Sequence, residues 1–306
     1  MRTLDRILVA TSFSDRSADA VRKAAALAAE RHASLTLLHV VEPIRNRRVR
    51  RLVDQDLLIS ARVTDARAKL AWVAGEIAAR QGVPVELCVL VGDKISTILA
   101  ACQEADVLYI GGTGGGLTAT FQRPTAQRLL GCCDVPIVVV NGPQSLQYAR
   151  ALVVVRDAPG GVSALRATRR LWPAAEKVVF YAVDPRQQQP KQISETATSA
   201  KAGPLGRSVR ILAYLRSLVH RAGLHVHDVS CRFRYGDACK AASSMQADVQ
   251  ADLLVLTRRW NPTTGAFVLG KMASRLLAIA QCDVLITAGI AFDSAPLALP
   301  PPKLAA

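Results

Sequence analysis

The segments Ala105-Asp-Val-Leu-Tyr-Ile110 and Ala251-Asp-Leu-Leu-Val-Leu256 are two versions of one apolar strand. The sequence around them repeats in the same order. Four further pairs match: 6–12 with 150–157, 35–40 with 178–183, 128–130 with 275–277, and 135–140 with 284–287. One such match is weak evidence, but five in one order indicate an internal repeat. The 306 residues therefore predict two copies of one domain, in agreement with roughly 150 residues per domain.

Within each copy, short β-branched segments alternate with longer stretches rich in Ala, Leu and Arg. In the first copy we predict strands at 6–11, 35–40, 85–91, 106–110 and 137–141, and helices at 15–32, 52–81, 94–104 and 124–132. Strands that are almost wholly apolar are typical of parallel sheets covered on both faces. Ser14 or Asp15 is expected to cap the first helix, and Gly82 to end the second. The predicted fold is α/β, with two tandem doubly wound five-stranded parallel sheets.

The composition along the chain suggests where the two domains lie. We assign the first domain to 1–145 and the second to 146–290, with the boundary near Gly142-Pro143-Gln144-Ser145. Within the second domain, residues 184–208 are rich in Gln, Pro, Ser, Thr and Gly, and we expect a mobile insertion there. Residues 291–306 contain four prolines and are expected to form a surface tail.

The charge is high and uneven. The formal net charge is +15, made up of +4 in residues 1–145 (18 Lys/Arg against 14 Asp/Glu) and +11 in residues 146–306 (21 against 10). Such a surface attracts anions weakly and without specificity. The five arginines within 45–51 are open to two interpretations: a patch for anions, nucleic acid or acidic proteins, or a solvated loop, which we favour. No recognisable nucleic-acid-binding module accompanies them.

Several classes of function find no support in the sequence. The first residues lack a secretory signal, and no apolar run is long enough for a membrane span, so we expect a cytoplasmic protein. The seven cysteines include no Cys-x-x-Cys pair, and we expect reduced, mostly buried thiols. His225 and His227, read as alternating on one strand, lack a third metal ligand. Ser12, Ser14 and Asp15 lack an identifiable base, so an enzyme is not expected.

Three segments, in this order, resemble the universal stress protein family. They are Ile7-Leu-Val-Ala-Thr-Ser-Phe-Ser14, Leu37-Leu-His-Val40 and Ala105-Asp-Val-Leu-Tyr-Ile-Gly111. The resemblance covers nearly all of both halves, and it implies a role in stress adaptation. Because family members commonly dimerise through their last strand, it also implies that residues 137–140 and 284–286 are contact edges.

Nucleotide-binding members of that family carry a signature: Gly, two residues, Gly, nine residues, then Gly followed by Ser or Thr. Its glycines allow backbone N–H groups to approach phosphate oxygens. In the first copy Pro124, which has no N–H, stands at the third glycine, and Ser12 stands where the family usually has Asp. Shifting the alignment by one residue instead places Arg123 and Pro124 at the Gly-Ser pair. The resemblance implies these site residues: Thr11, Ser12 and Val40 near a nucleoside, and Gly111, Gly114 and Thr125 near phosphates.

The second copy departs from the signature in another way. It retains an aspartate, Asp157, but the glycine loop is replaced by Thr257-Arg-Arg-Trp260, followed by Gly270 and Lys271. Trp260 is too bulky for backbone to approach a phosphate closely. The side chains of Arg258, Arg259 and Lys271 are still expected to attract an anion.

These observations predict a non-enzymatic regulatory or interaction protein of the stress response, with degenerate nucleotide sites and no required cofactor. The expected partners are proteins or a further copy of the chain. The alternative is a sensor that binds ATP or AMP through the first copy, and a less favoured one is a nucleotide-hydrolysing enzyme.

Overall fold

The protein is described by a computed structural model that covers residues 4–43, 54–112, 129–142, 145–183 and 204–289. The arginine run at 45–51, the tail at 291–306 and most of the predicted insertion lie outside these residues. The first copy contains β1 (Arg6–Ala10), α1 (Asp15–Arg31), β2 (Ser34–Val41), α2 (Gln55–Gln81), β3 (Val85–Val91), α3 (Lys94–Cys102), β4 (Val107–Gly111) and β5 (Ile137–Val140).

The second copy repeats this order. It contains β6 (Arg150–Val155), α4 (Ala158–Leu171), β7 (Glu176–Val183), α5 (Pro204–Arg221), a 3-10 turn (Val226–Asp228), β8 (Val229–Tyr235), α6 (Ala238–Asp248), β9 (Leu253–Asn261), β10 (Ala266–Val268), α7 (Lys271–Ile279) and β11 (Asp283–Ala288). The predicted α/β alternation is confirmed in both copies.

The two copies form one continuous sheet. Its strand order is β3-β2-β1-β4-β5-β11-β9-β6-β7-β8, with the small strand β10 paired to β9. Within each copy the five main strands are parallel, and the copies join where β5 and β11 run antiparallel, with Val138 opposite Leu285. The predicted contact edges are therefore confirmed: the last strands of the copies pair with each other inside one chain.

Alternate residues of each strand enter two separate cores. Ile7 and Val9 of β1 face α1 and α2, whereas Leu8 between them faces α3. The same alternation in the second copy places α4 and α5 on one face and α6 and α7 on the other. Both faces of the sheet are covered, which explains why its strands are apolar throughout.

Helix caps fix several boundaries. The Ser14 side chain accepts from Ser17 N–H and begins α1, and Gly82, with φ of 64°, ends α2, as predicted. The second helix begins three residues later than expected, because the Asp54 carboxylate accepts from Asp56 and Leu57 N–H.

One expectation about the second copy is wrong, and another stays a prediction. α5 begins at Pro204, so the last five residues of the insertion predicted at 184–208 are helical, and the other residues of that segment lie outside the described ones. His225 and His227 do not alternate on a strand, because residues 226–228 form a 3-10 turn and β8 begins at Val229.

A buried ion pair holds the copies together. Lys23 Nζ of α1 lies 2.5 Å from Asp283 Oδ2 at the start of β11, and their side chains are 2% and 0% exposed. The same carboxylate accepts from Tyr148 Oη at 2.6 Å and from Asn141 N–H at 2.9 Å. Three donors from the first copy and the connecting segment therefore converge on one acid of the second copy, which compensates for its burial.

Arg258 of β9 is a second link between the copies. Its guanidinium is fully buried and donates to the carbonyls of Leu130 and Val135 in the first copy. It also lies 4.7 Å from the ring centroid of Phe267. The expectation that Arg258 attracts an anion is therefore wrong, because its guanidinium is buried where the two copies pack together, a contact that we call the seam.

No helix within the described residues is both long and apolar enough to cross a membrane.

Candidate functional site

A pocket in the first copy brings together four of the six residues predicted to contact a nucleotide. Thr11 and Ser12 follow β1, Val40 lies near the end of β2, and Gly111 ends β4; all four line the same pocket. The carboxyl ends of parallel strands are where doubly wound folds place ligands. Gly114 and Thr125, the other two predicted site residues, lie outside the described residues, as does Pro124.

Hydroxyl groups stabilise the loop between β1 and α1. Thr11 Oγ1 donates to Ser17 Oγ at 3.1 Å and accepts from Phe13 N–H at 3.2 Å. The hydroxyls of Ser12 and Ser14 lie 3.1 Å apart. Phe13 has φ of 61°, a left-handed conformation that is rare for a bulky residue. The hydrogen bonds of the neighbouring residues stabilise this strained turn. The turn places Ser12 in the lining of the pocket.

His39, which the sequence analysis did not assign to the site, lies on the wall of this pocket. Its Nδ1 is 2.9 Å from Thr11 O, and its ring centroid is 4.4 Å from that of Phe13. Burial lowers the pKa of His39, and the nearby charges of Lys94, Arg62 and Lys69 lower it further, against the opposing effect of the Thr11 bond. The neutral ring, with Nδ1–H donating to Thr11 O, therefore supports the loop. Lys94 of α3 also lines the pocket.

We expect His39 to titrate below its ordinary pKa of 6.5. Because the folded pKa is lowered, the unfolded chain binds more protons between the two values, so His39 should make unfolding easier as the pH falls through that window. An NMR titration of the ring measures the pKa directly, and His39→Gln should remove this part of the pH dependence. A His39 pKa at or above 6.5 would contradict the assignment.

Gly111 is required by packing as well as by its position in the pocket. A Cβ added there would lie 2.8 Å from the backbone carbon of Arg16 and 2.9 Å from Ser17 N. Real Cβ atoms do not approach backbone so closely, so β4 meets the first turn of α1 only with glycine at this place.

Gly111→Ala is therefore expected to destabilise the fold by about 1–3 kcal/mol, as overpacking usually does. Gly75→Ala is the matched control, because Gly75 lies within α2 and a Cβ there meets nothing within 4 Å. The control should gain up to about 1 kcal/mol through helix propensity. Urea unfolding of both variants makes the comparison, and equal stability of the two would refute the contact.

In the second copy a β-hairpin occupies the place of the glycine loop. Residues 257–260 were predicted as a loop, but they continue β9, and Trp260 pairs with Phe267 of β10. The two rings pack edge to face with centroids 5.2 Å apart. The turn sequence Asn261-Pro-Thr-Thr-Gly265, in which Gly265 has φ of 60°, is the signal that could have predicted this hairpin.

Asp157, the aspartate that the second copy retains, lies at the start of a helix. Its carboxylate accepts from Gly160 N–H at 2.8 Å and caps α4, the role that Ser14 has in α1. The loop after β6 is shorter than that after β1, so Arg156 rather than Asp157 takes the place corresponding to Ser12. The Arg156 guanidinium lies against Gly270, where a Cβ would be 2.5 Å from Nη1.

The described residues contain no group of three His, Cys, Asp or Glu side chains that could hold a metal ion. Arg259 and Lys271 are exposed, unlike Arg258, and stay candidates for weak anion contact.

The repeated strand order and the joined sheet thus define a tandem α/β protein with a nucleotide-binding-like fold. The sequence profile of the universal stress protein family matches residues 3–141 and again residues 147–288. The chain belongs to the universal stress protein family and contains two of its domains.

Solved structures agree with this assignment. A universal stress protein from Archaeoglobus fulgidus DSM 4304 is similar over 94% of this chain and 100% of its own, with 13% identity and a TM-score of 0.69. A functionally unknown protein from Pseudomonas aeruginosa PAO1 is similar over 93% of this chain and 92% of its own, with 16% identity and a TM-score of 0.58. At these sequence identities, the similarity shows only that the proteins share a fold. The comparison with curated proteins returns no match.

A universal stress protein solved in complex with cAMP is similar over 45% of this chain and 98% of its own, with 18% identity and a TM-score of 0.34.

Proposed function

We propose that this chain is a non-enzymatic regulatory or interaction protein of the stress response that acts in the cytoplasm. The proposal is supported by the departure of both copies from the nucleotide-binding signature that the family resemblance implies. A hairpin stands in place of the second copy's phosphate loop, and Ser12 and Pro124 replace the aspartate and glycine of the first copy's signature.

The second copy is the clearer case. A phosphate beside residues 257–260 would need backbone N–H groups that β9 uses for pairing, since Trp260 and Arg259 pair with Phe267 and Val268. Asp157 is engaged as a helix cap. The guanidinium of Arg258 bonds carbonyls of the first copy and cannot turn toward a ligand without leaving them. We therefore propose that the second copy has a structural role, which is to complete the sheet.

Crystals soaked with ATP should show no phosphate against residues 257–260. The reason is that the hairpin replaces the glycine loop that would surround the phosphates, and its backbone groups are paired within the sheet. Phosphate density at this hairpin would contradict the assignment of the second copy.

The second candidate function is an ATP- or AMP-binding sensor working through the first copy. It is favoured by one observation, the convergence of Thr11, Ser12, Val40 and Gly111 on one pocket. Nucleotide hydrolysis is less favoured, because within the described residues the Ser12 and Ser14 hydroxyls bond to each other and to Ser17 rather than to a base.

Native mass spectrometry of freshly purified protein separates these candidates. A regulatory protein should appear without stoichiometric nucleotide, as a single chain, a further self-assembly or a complex with a partner protein. One bound nucleotide per chain would favour the sensor, and nucleotide turnover lost on mutation of the Thr11–Ser14 loop would favour the enzyme.

A further inference from the structure

Two cysteines of the first copy, Cys102 and Cys133, lie in contact with each other beside the seam. Cys102 ends α3 and precedes β4, and Cys133 precedes β5. Because β4 and β5 are parallel neighbours, with Leu108 beside Ile137, the segments before them meet at one edge of the sheet. The two thiols are hydrogen-bonded to each other there, and both residues are buried. All seven cysteines of the chain are free, so this pair is reduced in the structure.

Arg258 places a buried positive charge next to this pair. Its Nη2 and the Cys133 Sγ lie 3.2 and 3.7 Å from the same acceptor, Val135 O. Within the described residues this guanidinium forms no ion pair with a carboxylate, and its buried Nε has no hydrogen-bond partner. A buried charge without a counterion is unfavourable. The thiolate form of Cys133 would supply a negative charge at this place, so the surroundings favour its ionisation.

The two thiols of the pair differ in acidity. The hydrogen bond with Cys102 lowers the pKa of Cys133, and the charge of Arg258 lowers it further, against the effect of burial. The same hydrogen bond raises the pKa of Cys102, and burial raises it further. Because the thiolate and not the thiol is the nucleophile, Cys133 is the more reactive member of the pair. Cys102 stays protonated in contact with it.

A small molecule can approach the pair from the seam. A cavity of about 450 Å³ lies beside it, with Ala105, Val135 and Pro136 in its lining. Val135 is the residue whose carbonyl contacts Cys133 Sγ. The neighbouring residue, Cys132, is exposed to solvent. Cys133 is therefore buried at the edge of the core and not in its centre.

We propose that Cys102 and Cys133 form a redox site that a hydroperoxide converts into a disulfide. The Cys133 thiolate attacks one peroxide oxygen, so that an S–O bond forms while the O–O bond breaks, and the product is a sulfenic acid with hydroxide or alkoxide as leaving group. Cys102 sulfur then attacks the sulfenic sulfur. An S–S bond forms, the S–O bond breaks, and the departing hydroxide takes the Cys102 proton as water. The two sulfurs are oxidised by two electrons in total, which reduce the peroxide, and thiol–disulfide exchange with a dithiol restores the pair.

The inference does not depend on the proposed function, since neither cysteine lines the pocket at Thr11. The experiment uses the full chain, reduced beforehand and then treated with hydrogen peroxide. Free thiols are alkylated in denaturant, and mass spectrometry of the peptides identifies the disulfides. We expect a disulfide between Cys102 and Cys133, with the other five cysteines alkylated. Treatment with dithiothreitol should return both thiols.

Two variants separate the roles of the pair. In Cys102→Ser the second step is blocked, so the sulfenic acid should persist on Cys133 and be captured by dimedone. In Cys133→Ser the first step is blocked, and Cys102 should stay a thiol. The described repeat offers a matched control in Cys282→Ser, because Cys282 is also buried before the last strand of its copy, whereas α6 ends at Asp248 where α3 ends at Cys102. This control should form the disulfide as the wild type does.

The rate of thiol loss gives a second readout. Burial raises the pKa of Cys282 to about 12. Cys133 should therefore react with peroxide at least about tenfold faster than Cys282, because only thiolates react appreciably. Equal rates for these two thiols, no disulfide in the peroxide-treated wild type, or a disulfide that joins Cys132 to Cys102 instead would each overturn the proposal. The wild-type peptides decide these three points even if a serine variant fails to fold.

Discussion

Replacing Asp283 by asparagine is expected to lower the free energy of unfolding by about 3–5 kcal/mol, the usual cost of removing one partner of a buried ion pair. Lys23, whose side chain is only 2% exposed, would lose the carboxylate that now lies 2.5 Å from its Nζ. Tyr148 would also lose its charged acceptor. Urea unfolding at neutral pH measures the effect.

Asp65→Asn is the matched control. Asp65 also pairs with a lysine, Lys69 at 2.7 Å, but both side chains are more than half exposed. Exposed pairs contribute about 0–1 kcal/mol, so this variant should stay close to the wild type. Adding Lys23→Met to Asp283→Asn should recover part of the loss, because no uncompensated charge is left inside. Equal stability of Asp283→Asn and Asp65→Asn would contradict a stabilising role for the seam pair.

Restoring the family residues in the first copy should strengthen ATP binding by about two to four orders of magnitude. Each missing hydrogen bond to a charged group costs about 1.5–3 kcal/mol, and about 1.4 kcal/mol corresponds to a factor of ten. Ser12→Asp returns a carboxylate beside the pocket, and Pro124→Gly returns a backbone N–H. Calorimetry compares the double variant with the wild type.

The control for this gain is Ser60→Asp, which adds the same charge at an exposed position of α2 outside the pocket. It should leave ATP affinity unchanged. If the double variant binds ATP no better than this control, the pocket at Thr11 is not the nucleotide site.

Most of the fold could be predicted from the sequence because its signals are local and repeated. Five ordered matches gave the tandem arrangement, and apolar strands gave a sheet covered on both faces. The caps at Ser14 and Gly82 set two helix ends through their own side-chain or backbone chemistry. The pairing of the last strands followed from the family resemblance, and the antiparallel contact of β5 with β11 confirms it.

The seam could not be predicted, because its partners are distant in sequence. Lys23 and Asp283 are 260 positions apart, and nothing near either residue indicates the other. In the sequence Arg258 follows an apolar segment, and it was therefore expected to attract an anion. In the structure its side chain is fully buried.

The candidate site was predicted only in part for a related reason. Thr11, Ser12, Val40 and Gly111 converge because parallel strands end at one edge, which topology alone implies. His39 lies within an apolar strand segment of the sequence, and its bond to Thr11 O appears only in three dimensions. In the second copy the loop after β6 is shorter than the loop after β1, and Asp157 therefore caps α4. Matching the strands by sequence could not show this difference.

We propose that this universal stress protein has lost strong nucleotide binding and acts without it. Calorimetric titration of ATP into the wild-type chain is the test. We expect weak binding or none, with no contribution from the second copy. Tight binding of ATP, with one or two molecules per chain, would contradict it.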